Sequence, residues 1–451
     1  MNFSTLPLSK EMLNNLDSLG YAKMTPVQAQ TLPLILDNKD VIAQAKTGSG
    51  KTAAFGIGVL NKLDVKKFRV QSLVLCPTRE LADQVAKELR KIARFQHNIK
   101  ILILCGGESF GKQLGSLSHQ AHIIVGTPGR VLKHLNKESL NLENLETLVF
   151  DEADRMLDMG FMDEIQSVLA HVPQERQTLL FSATYNNEIV NISKTIQKNA
   201  VSVKTTTTES ANKIDEYFYE VDSKLDALIK IFSSYNPENV IVFTNTKIEA
   251  KELADNLQKA KIDALAIHGD LEQYERNDVL VQFANKSCPI LVATDVAARG
   301  LDIKELSMVV NFDIPHGNET YTHRIGRTGR AGADGIAITL YSPDEEQNAV
   351  EYKNETRKFE SADSLKVKAG FEMKPQYVTL VIEGGKKDKV RAGDLLGALT
   401  GDAGLKGSSI GKIDIYDRQS YVAIERVLIK EAHAQLSKGK IKGKNFSVWI
   451  L

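Results

Sequence analysis

Cysteine is scarce in this sequence: three residues, Cys76, Cys105 and Cys288, among 451. They lie far apart, none has metal-ligand spacing with a neighbour, and an odd number closes no disulfide framework. Isolated thiols suit a reducing compartment, so a cytoplasmic location is expected. A run of about 18 apolar residues is also missing, which excludes a membrane-spanning helix and leaves no role for a membrane. The start, MNFSTLPLSKEML, has no basic stretch leading into a long apolar one, so no secretory signal is expected. Net charge is absent as well, with 57 Lys+Arg against 57 Asp+Glu. A neutral total does not exclude nucleic acid, because charge can be segregated. From Phe371 to Leu451 there are 14 basic and 9 acidic residues, so the tail is the basic part.

What the chain does have is core material. Hydrophobic residues make up 42% and charged residues 25%, enough for several globular domains. Short apolar, β-branched runs alternate with helix-period segments. The runs are Ser72–Cys76, His122–Gly126, Thr147–Asp151 and Thr178–Ser182, then Val240–Thr244, Ala264–Gly269, Ile290–Thr294 and Met308–Asp313. Leu81, Val85, Leu89 and Ile92 mark one helix face between them. Such alternation predicts α/β, doubly wound parallel sheets. The polar stretch VKTTTTESANK (Val203–Lys213) reads as a linker. The charged stretch after Ser342 reads as a terminal helix and a second linker. The expected domains are 1–205, 215–360 and 375–451, with linkers at 206–214 and 361–374 that allow variable arrangements. The tail pattern is βαββαβ, an α+β order matching an RNA-recognition-motif fold.

Three motifs carry chemistry. AKTGSGKT (Ala45–Thr52) follows a strand-like DVIAQ and precedes an apolar helix. Gly48 and Gly50 let backbone N–H groups close around phosphate oxygens, with Thr47 and Ser49 in the same loop. Lys51 would reach the β- and γ-phosphates of ATP, and the Thr52 hydroxyl would bind Mg²⁺. DEAD (Asp151–Asp154) ends an apolar strand. Asp151 would hold Mg²⁺ through water, and Glu152 would orient and deprotonate the attacking water. HRIGRTGR (His323–Arg330) sets Arg324, Arg327 and Arg330 at spacings of three, suited to pointing at one anion as arginine fingers.

Together these motifs resemble the DEAD-box RNA helicases, and further motifs of that family follow in order. GYAKMTPVQ (Gly20–Gln28) resembles its adenine-reading motif, with Phe3 upstream and Tyr21 where the family often has phenylalanine. The resemblance implies two RecA-like domains, an ATP-dependent helicase activity and roles for particular residues. Gln28 would bond the adenine edge, Tyr21 would pack on its face, and Asp302 would meet the ribose. Arg327 and Arg330 would touch the γ-phosphate, and His323 would relay between domains. Ser182 and Thr184, of SAT, would couple the ATP state to unwinding. Pro77, Thr78 and Arg79, Gly106 and Gly107, and Thr127, Pro128, Gly129 and Arg130 would hold the RNA backbone in the first domain. Asn245, Gln273, Arg276, Thr294 and Gly300 would do so in the second. Backbone contacts carry no direct sequence information, so this two-domain core is expected to be indifferent to RNA sequence.

The tail resembles the C-terminal domain of the bacterial DbpA subgroup of that family, through Lys386–Leu405 and Ile410–Arg426. That resemblance implies binding to large-subunit (23S) ribosomal RNA at the peptidyl-transferase hairpin, and a role in large-subunit assembly. A monomer is expected. Of the RNP1 aromatic positions, here Gln419, Tyr421 and Ile424, one alone can stack a base well. The basic segment Lys386, Lys387, Lys389 and Arg391 is therefore the expected RNA contact, ahead of the later lysines, and Trp449 is expected in the core. Two other readings share the same motifs: an ATP-controlled RNA clamp with little unwinding, and a DNA helicase, which the tail disfavours.

Overall fold

The computed structural model describes residues 1–451 apart from 46–47, 186, 206–213, 299–305, 330–333 and 403. Seven strands form the first sheet: β1 (Val41–Gln44), β2 (Ser72–Leu75), β3 (Ile101–Leu104), β4 (Ile123–Gly126), β5 (Thr147–Asp151), β6 (Gln177–Ser182) and β7 (Val201–Lys204). Their order is β3-β4-β2-β5-β6-β1-β7, and every pairing is parallel. The strands β2, β4, β5 and β6 are buried along their whole length, because helices cover both faces. A hydrophobic cluster lies on each side of the sheet, which is why these strands read as continuous apolar runs rather than alternating ones.

The second sheet repeats the plan. Its strands are β8 (Ile214–Glu220), β9 (Val240–Thr244), β10 (Ala264–Ile267), β11 (Ile290–Thr294), β12 (Met308–Asn311), β13 (Gly335–Tyr341) and β14 (Lys358–Ser361). The order β10-β11-β9-β12-β13-β8-β14 matches the first sheet strand for strand. The third sheet is antiparallel, β16 (Ile410–Ile415), β17 (Ser420–Glu425), β15 (Tyr377–Ile382) and β18 (Val448–Ile450), in that order across the sheet. By contacts the chain divides into one unit holding β1–β7 and a second holding β8–β18.

β7 ends at Lys204, before the first expected linker, and β8 starts at Ile214, that linker's last residue. The second is packed rather than loose. Its strand neighbour β14 pairs with β8, and Ala362 and Met373 are buried in the core of the second sheet, with Leu365 and Phe371 against it. Met373 also exchanges backbone hydrogen bonds with Lys261 and Asp263.

This packing docks the tail on the second parallel-sheet domain. On β15 and β17, Leu380, Ile382, Val422 and Ile424 face the tail's own core. The alternate residues Val381 and Tyr421, in register with Trp449, form a row on the opposite face. That row packs on Val281 of the helix Gln273–Ala284. The Tyr421 hydroxyl donates to Asp278 Oδ1 at 2.8 Å, Thr379 Oγ1 to Ser287 Oγ at 2.8 Å, and Arg426 pairs with Asp263 at 2.8 Å. The tail is therefore seated on the second parallel-sheet domain within its unit.

Candidate active site

All strands of the first sheet point the same way, so their carboxyl ends share one edge, where α/β folds bind ligands. The strand order splits that edge. β5, β6 and β1 are neighbours and carry DEAD, SAT and the phosphate loop. β3, β4 and β2 are neighbours and carry Gly106-Gly107, TPGR and PTREL.

In the first half, the helix Lys51–Lys62 begins directly after the loop, so its N-terminal N–H groups and Thr52 face the phosphate position. Gly48 and Gly50 have φ of 83° and 91°. Gly50 is needed twice over, since a Cβ there would sit 2.6 Å from Gln28 Nε2. Gln28 is buried as the third residue of the helix Pro26–Leu36. Its side chain accepts from Thr25 N at 2.9 Å and donates to Gly50 O at 3.1 Å. The adenine-reading motif is thus wired to the phosphate loop. Tyr21 meets Phe3 edge-on at 6.0 Å and hydrogen-bonds Glu88; Phe3 itself is buried in the core behind it.

Lys51 is 6% exposed and Asp151 2%. Lys51 Nζ, Asp151 Oδ1, Ser49 Oγ, Ser182 Oγ and Thr184 Oγ1 are all buried atoms without a hydrogen-bond partner. Orphaned polar groups on this scale are costly unless a ligand completes them. One ammonium, one carboxylate and three hydroxyls suit a triphosphate with a hard cation: the ammonium for phosphate oxygens, the carboxylate and Thr52 for a hydrated Mg²⁺. Among the described residues no group of three or more His, Cys, Asp or Glu could hold a metal ion. Burial pushes the Asp151 carboxyl up to about 6, with Lys51 pulling the other way and Glu152 adding to the rise.

Glu152 stands in the left-handed region, φ 55° and ψ 54°, unusual for a non-glycine residue and characteristic of functional sites. Its Oε2 accepts from Arg155 at 2.8 Å, both side chains being about 5% exposed or less. Asp154 Oδ2 accepts from Ala183 N at 3.1 Å and Thr184 N at 2.9 Å, and Oδ1 from Arg155 N at 3.1 Å. Asp154 and Arg155 were given no role from sequence. The signal was a third acidic residue in DEAD and an arginine three positions after Glu152.

The second half of the edge is equally close-knit. Thr78 caps the helix Arg79–Ile92, and the Arg79 guanidinium lies over Gly107, where a Cβ would fall 1.6 Å from Nη1. Thr127 N donates to Leu104 O at 3.1 Å. Pro128 opens the helix Pro128–Asn136, followed by Gly129, and Arg130 reaches Glu108 O at 2.9 Å and Gln113 Oε1 at 2.7 Å. Pro77, Thr78, Arg79, Gly106, Gly107 and Arg130 therefore gather in one loop cluster.

In the second unit, Arg324 departs from the expected common aim of the arginines. It is 1% exposed and saturated: Asp295 takes two bonds at 2.7 and 2.6 Å, Asp313 O one at 2.8 Å, and Asn245 Oδ1 one at 2.9 Å. It is a tie between strand ends, not a finger. Arg327 is buried at 5% exposure and His323 is half-buried. Arg276 donates to Ala297 O at 2.8 Å, beside Thr294 at the end of β11, and Gln273 to Asn277 at 3.1 Å. Thr47, Gly300, Asp302 and Arg330 lie outside the described residues. In the tail, Lys386, Lys387 and Lys389 are exposed on one short turn with Arg391 following. The tail's RNP1 positions do not work as such: Tyr421 is 3% exposed against Asp278, and Ile424 is in the core on the other face.

Comparison with known proteins matches residues 25–192 to the DEAD/DEAH box helicase family, 223–332 to the helicase conserved C-terminal domain, and 379–450 to the DbpA RNA binding domain. The chain is 50% identical to the ATP-dependent RNA helicase DbpA of Escherichia coli, across 100% of this chain and 99% of that one. The chain is a DEAD-box RNA helicase of the DbpA subgroup. It is also 48% identical to the DEAD-box ATP-dependent RNA helicase CshA of Geobacillus kaustophilus, over 76% of this chain and 74% of the relative. That match stops short of the full chain, while the DbpA match takes in the tail. In structure it is similar to S. cerevisiae Dbp5 bound to RNA and ADP BeF3, with TM-score 0.72, 31% identity, and 80% of this chain and 96% of that chain covered. As a DEAD-box helicase the chain binds RNA and hydrolyses ATP. Among the described residues no helix is long and apolar enough to cross a membrane.

Proposed function

We propose that this helicase acts on large-subunit ribosomal RNA during ribosome assembly, directed by its tail, as a cytoplasmic monomer. The observation that carries this is the full-length likeness to DbpA, tail included.

In the proposed cycle ATP lies along the β5-β6-β1 edge. Lys51 neutralises the β- and γ-phosphates. Thr52 and, through water, Asp151 would hold Mg²⁺, which supplies charge neutralisation on the phosphate oxygens. Glu152 accepts the proton of the attacking water, freed for this by movement relative to Arg155. Arg327 and Arg330 approach the γ-phosphate when the parallel-sheet domains close, with His323 as relay. Gln28 bonds the adenine edge while keeping its tie to Gly50, so base identity and loop geometry are read together. Asp154 passes the state of DEAD to SAT. One RNA strand is gripped through its backbone by Arg79, Gly107, Thr127 and Arg130, and by Gln273, Arg276 and Thr294.

Glu152→Gln tests the chemical step. It is expected to bind ATP and RNA but to stall, with steady-state hydrolysis at least 100-fold down, the usual scale for a lost general base. Rapid turnover by this variant would remove Glu152 from that role. Strand displacement on a short tailed duplex separates the helicase from the clamp reading: hydrolysis without displacement would favour the clamp.

A further inference from the structure

The helix Asn318–Ile325 carries His323 and leads through Gly326 into Arg327. Arg324 ties it to the strand ends, and Tyr321, one turn earlier, gives it a second anchor. Tyr321 is 1% exposed, and its hydroxyl donates to Glu216 Oε2 at 2.6 Å. The same oxygen accepts from Arg357 Nε at 2.7 Å, and the guanidinium lies over the Tyr321 ring, 4.4 Å from its centroid. Arg357 Nη1 donates to Tyr352 O at 2.7 Å. The Tyr352 hydroxyl donates in turn to Pro315 O at 2.7 Å, just ahead of the helix.

This grip is set in an aromatic bed. Phe218 stacks on Phe359 at 4.7 Å and on Tyr321 at 5.9 Å, and Tyr352 meets Tyr321 at 5.1 Å. The side chains of Arg357 and Glu216 are 15% and 17% exposed. Register explains their meeting. β14 runs parallel to β8 with Lys358 beside Tyr217, so Arg357, one residue earlier, falls next to Glu216. Neither residue belongs to a motif that sequence singled out.

An ion pair taken out of water adds little net stability over an apolar pair, and its best-attested use is to fix one geometry. A guanidinium suits that use, because its donors point in fixed directions and its plane stacks on a ring. Here the geometry fixed is that of the helix leading to Arg327. We infer that Glu216 and Arg357 are positioning residues for ATP hydrolysis: through Tyr321 they hold the helix Asn318–Ile325 so that Arg327 meets the γ-phosphate correctly on closure. The inference rests on the proposed role of Arg327 and extends it to a pair outside the motifs. Arg357 directly precedes β14, so the same grip fixes the strand from which the connection to the tail departs.

The test uses the full chain. Steady-state hydrolysis is measured with saturating ribosomal RNA, nucleotide affinity with a fluorescent ADP analogue and no RNA, and melting by calorimetry. Arg357→Met combined with Glu216→Gln removes both charges, so that neither is left buried alone, and the glutamine still accepts from Tyr321. The double variant is expected to melt close to wild type and to bind ADP as wild type does, because the phosphate loop belongs to the first domain. Its kcat is expected to fall about tenfold or more, since a misplacement of about 1 Å costs up to ~100-fold. Arg357→Lys keeps the charge but not the fork of donors, and its kcat is expected to lie between the two. Arg327→Gln is the reference, expected to lower kcat about a thousandfold. A wild-type kcat in the double variant, beside a slow Arg327→Gln, would overturn the inference and leave the role of Arg327 standing. A wild-type kcat in Arg327→Gln would overturn both. Loss of ADP affinity in step with kcat would mean a general loosening of the fold, and would also overturn the inference. If the double variant does not fold, Tyr321→Phe replaces it: it keeps the ring, drops the bond to Glu216, and is expected to lower kcat severalfold with ADP affinity intact. A wild-type kcat there would overturn the inference.

Discussion

Asp154→Asn probes the joint between DEAD and SAT with the smallest change of shape. Asp154 is 5% exposed and takes three backbone N–H bonds, from Arg155, Ala183 and Thr184. An asparagine has one acceptor oxygen for these three donors. Turned toward Ala183 and Thr184, it keeps two bonds to a neutral acceptor and sets an NH₂ against the Arg155 N–H at 3.1 Å. Turned the other way, it keeps one bond and opposes two, so the first orientation wins. Bonds to a charged group contribute ~1.5–3 kcal/mol and neutral ones ~1 kcal/mol. Weakening two and losing one therefore costs roughly 2.5–7 kcal/mol in the first domain. At ~2–4 °C per kcal/mol for a domain of this size, that lowers the melting temperature by about 5 °C or more, measurable by calorimetry. The functional prediction is a split. The phosphate loop is untouched, so ATP affinity stays close to wild type, while strand displacement per ATP hydrolysed falls. Unchanged melting together with unchanged displacement would refute this reading of Asp154.

Other perturbations test the remaining joints. Gly50→Ala forces a Cβ into the left-handed region against Gln28, about 2 kcal/mol of strain, and is expected to weaken ATP binding tenfold or more with a fluorescent analogue; wild-type affinity would show the loop to be slack. Tyr421→Phe leaves Asp278 half-buried without its donor, and its carboxyl already sits above the usual range because of burial. A loss of ~1–2 kcal/mol and faster proteolysis between β14 and β15 are expected, and an unaltered cleavage pattern would argue against docking. His134 is held down to about 4 by burial, then by Arg130 and Lys133. Its folded value is depressed, so its contribution is intact above 6.5 and is lost as pH falls toward 4. The urea midpoint should fall over that window, and less steeply in His134→Gln; equal slopes would remove His134 as the cause.

The motifs were legible because parallel strands end on one edge. Ala45–Thr52, Asp151–Asp154 and Ser182–Thr184 are far apart in the chain, yet the strand order makes them neighbours, and alternation alone implied that order of architecture. The strands of highest β-branched content were read to within two residues. Some of those missed carry weaker patterns: β14, KFES, is a polar edge strand paired with β8 alone, and β8 itself, IDEYFYE, reads as alternating polar and aromatic; β3, ILIL, and β13, GIAITLY, were apolar runs left unread. Arg324 was misread because spacing reports which residues share a turn, not where their partners sit; its partners Asp295 and Asn245 come from other strand ends. Docking of the tail was invisible for the same reason. Asp278 and Tyr421 lie 143 positions apart, and nothing local in either segment announces the other.

The central claim is that the tail confers specificity on a core that reads only RNA backbone. Steady-state ATPase of the full chain tests it most directly, with no RNA, a generic single strand, and a large-subunit ribosomal fragment carrying the peptidyl-transferase hairpin. The account predicts strong stimulation by the ribosomal fragment and little by the generic strand at equal concentration. Equal stimulation by both would contradict it, and would leave a DEAD-box helicase whose tail serves another partner.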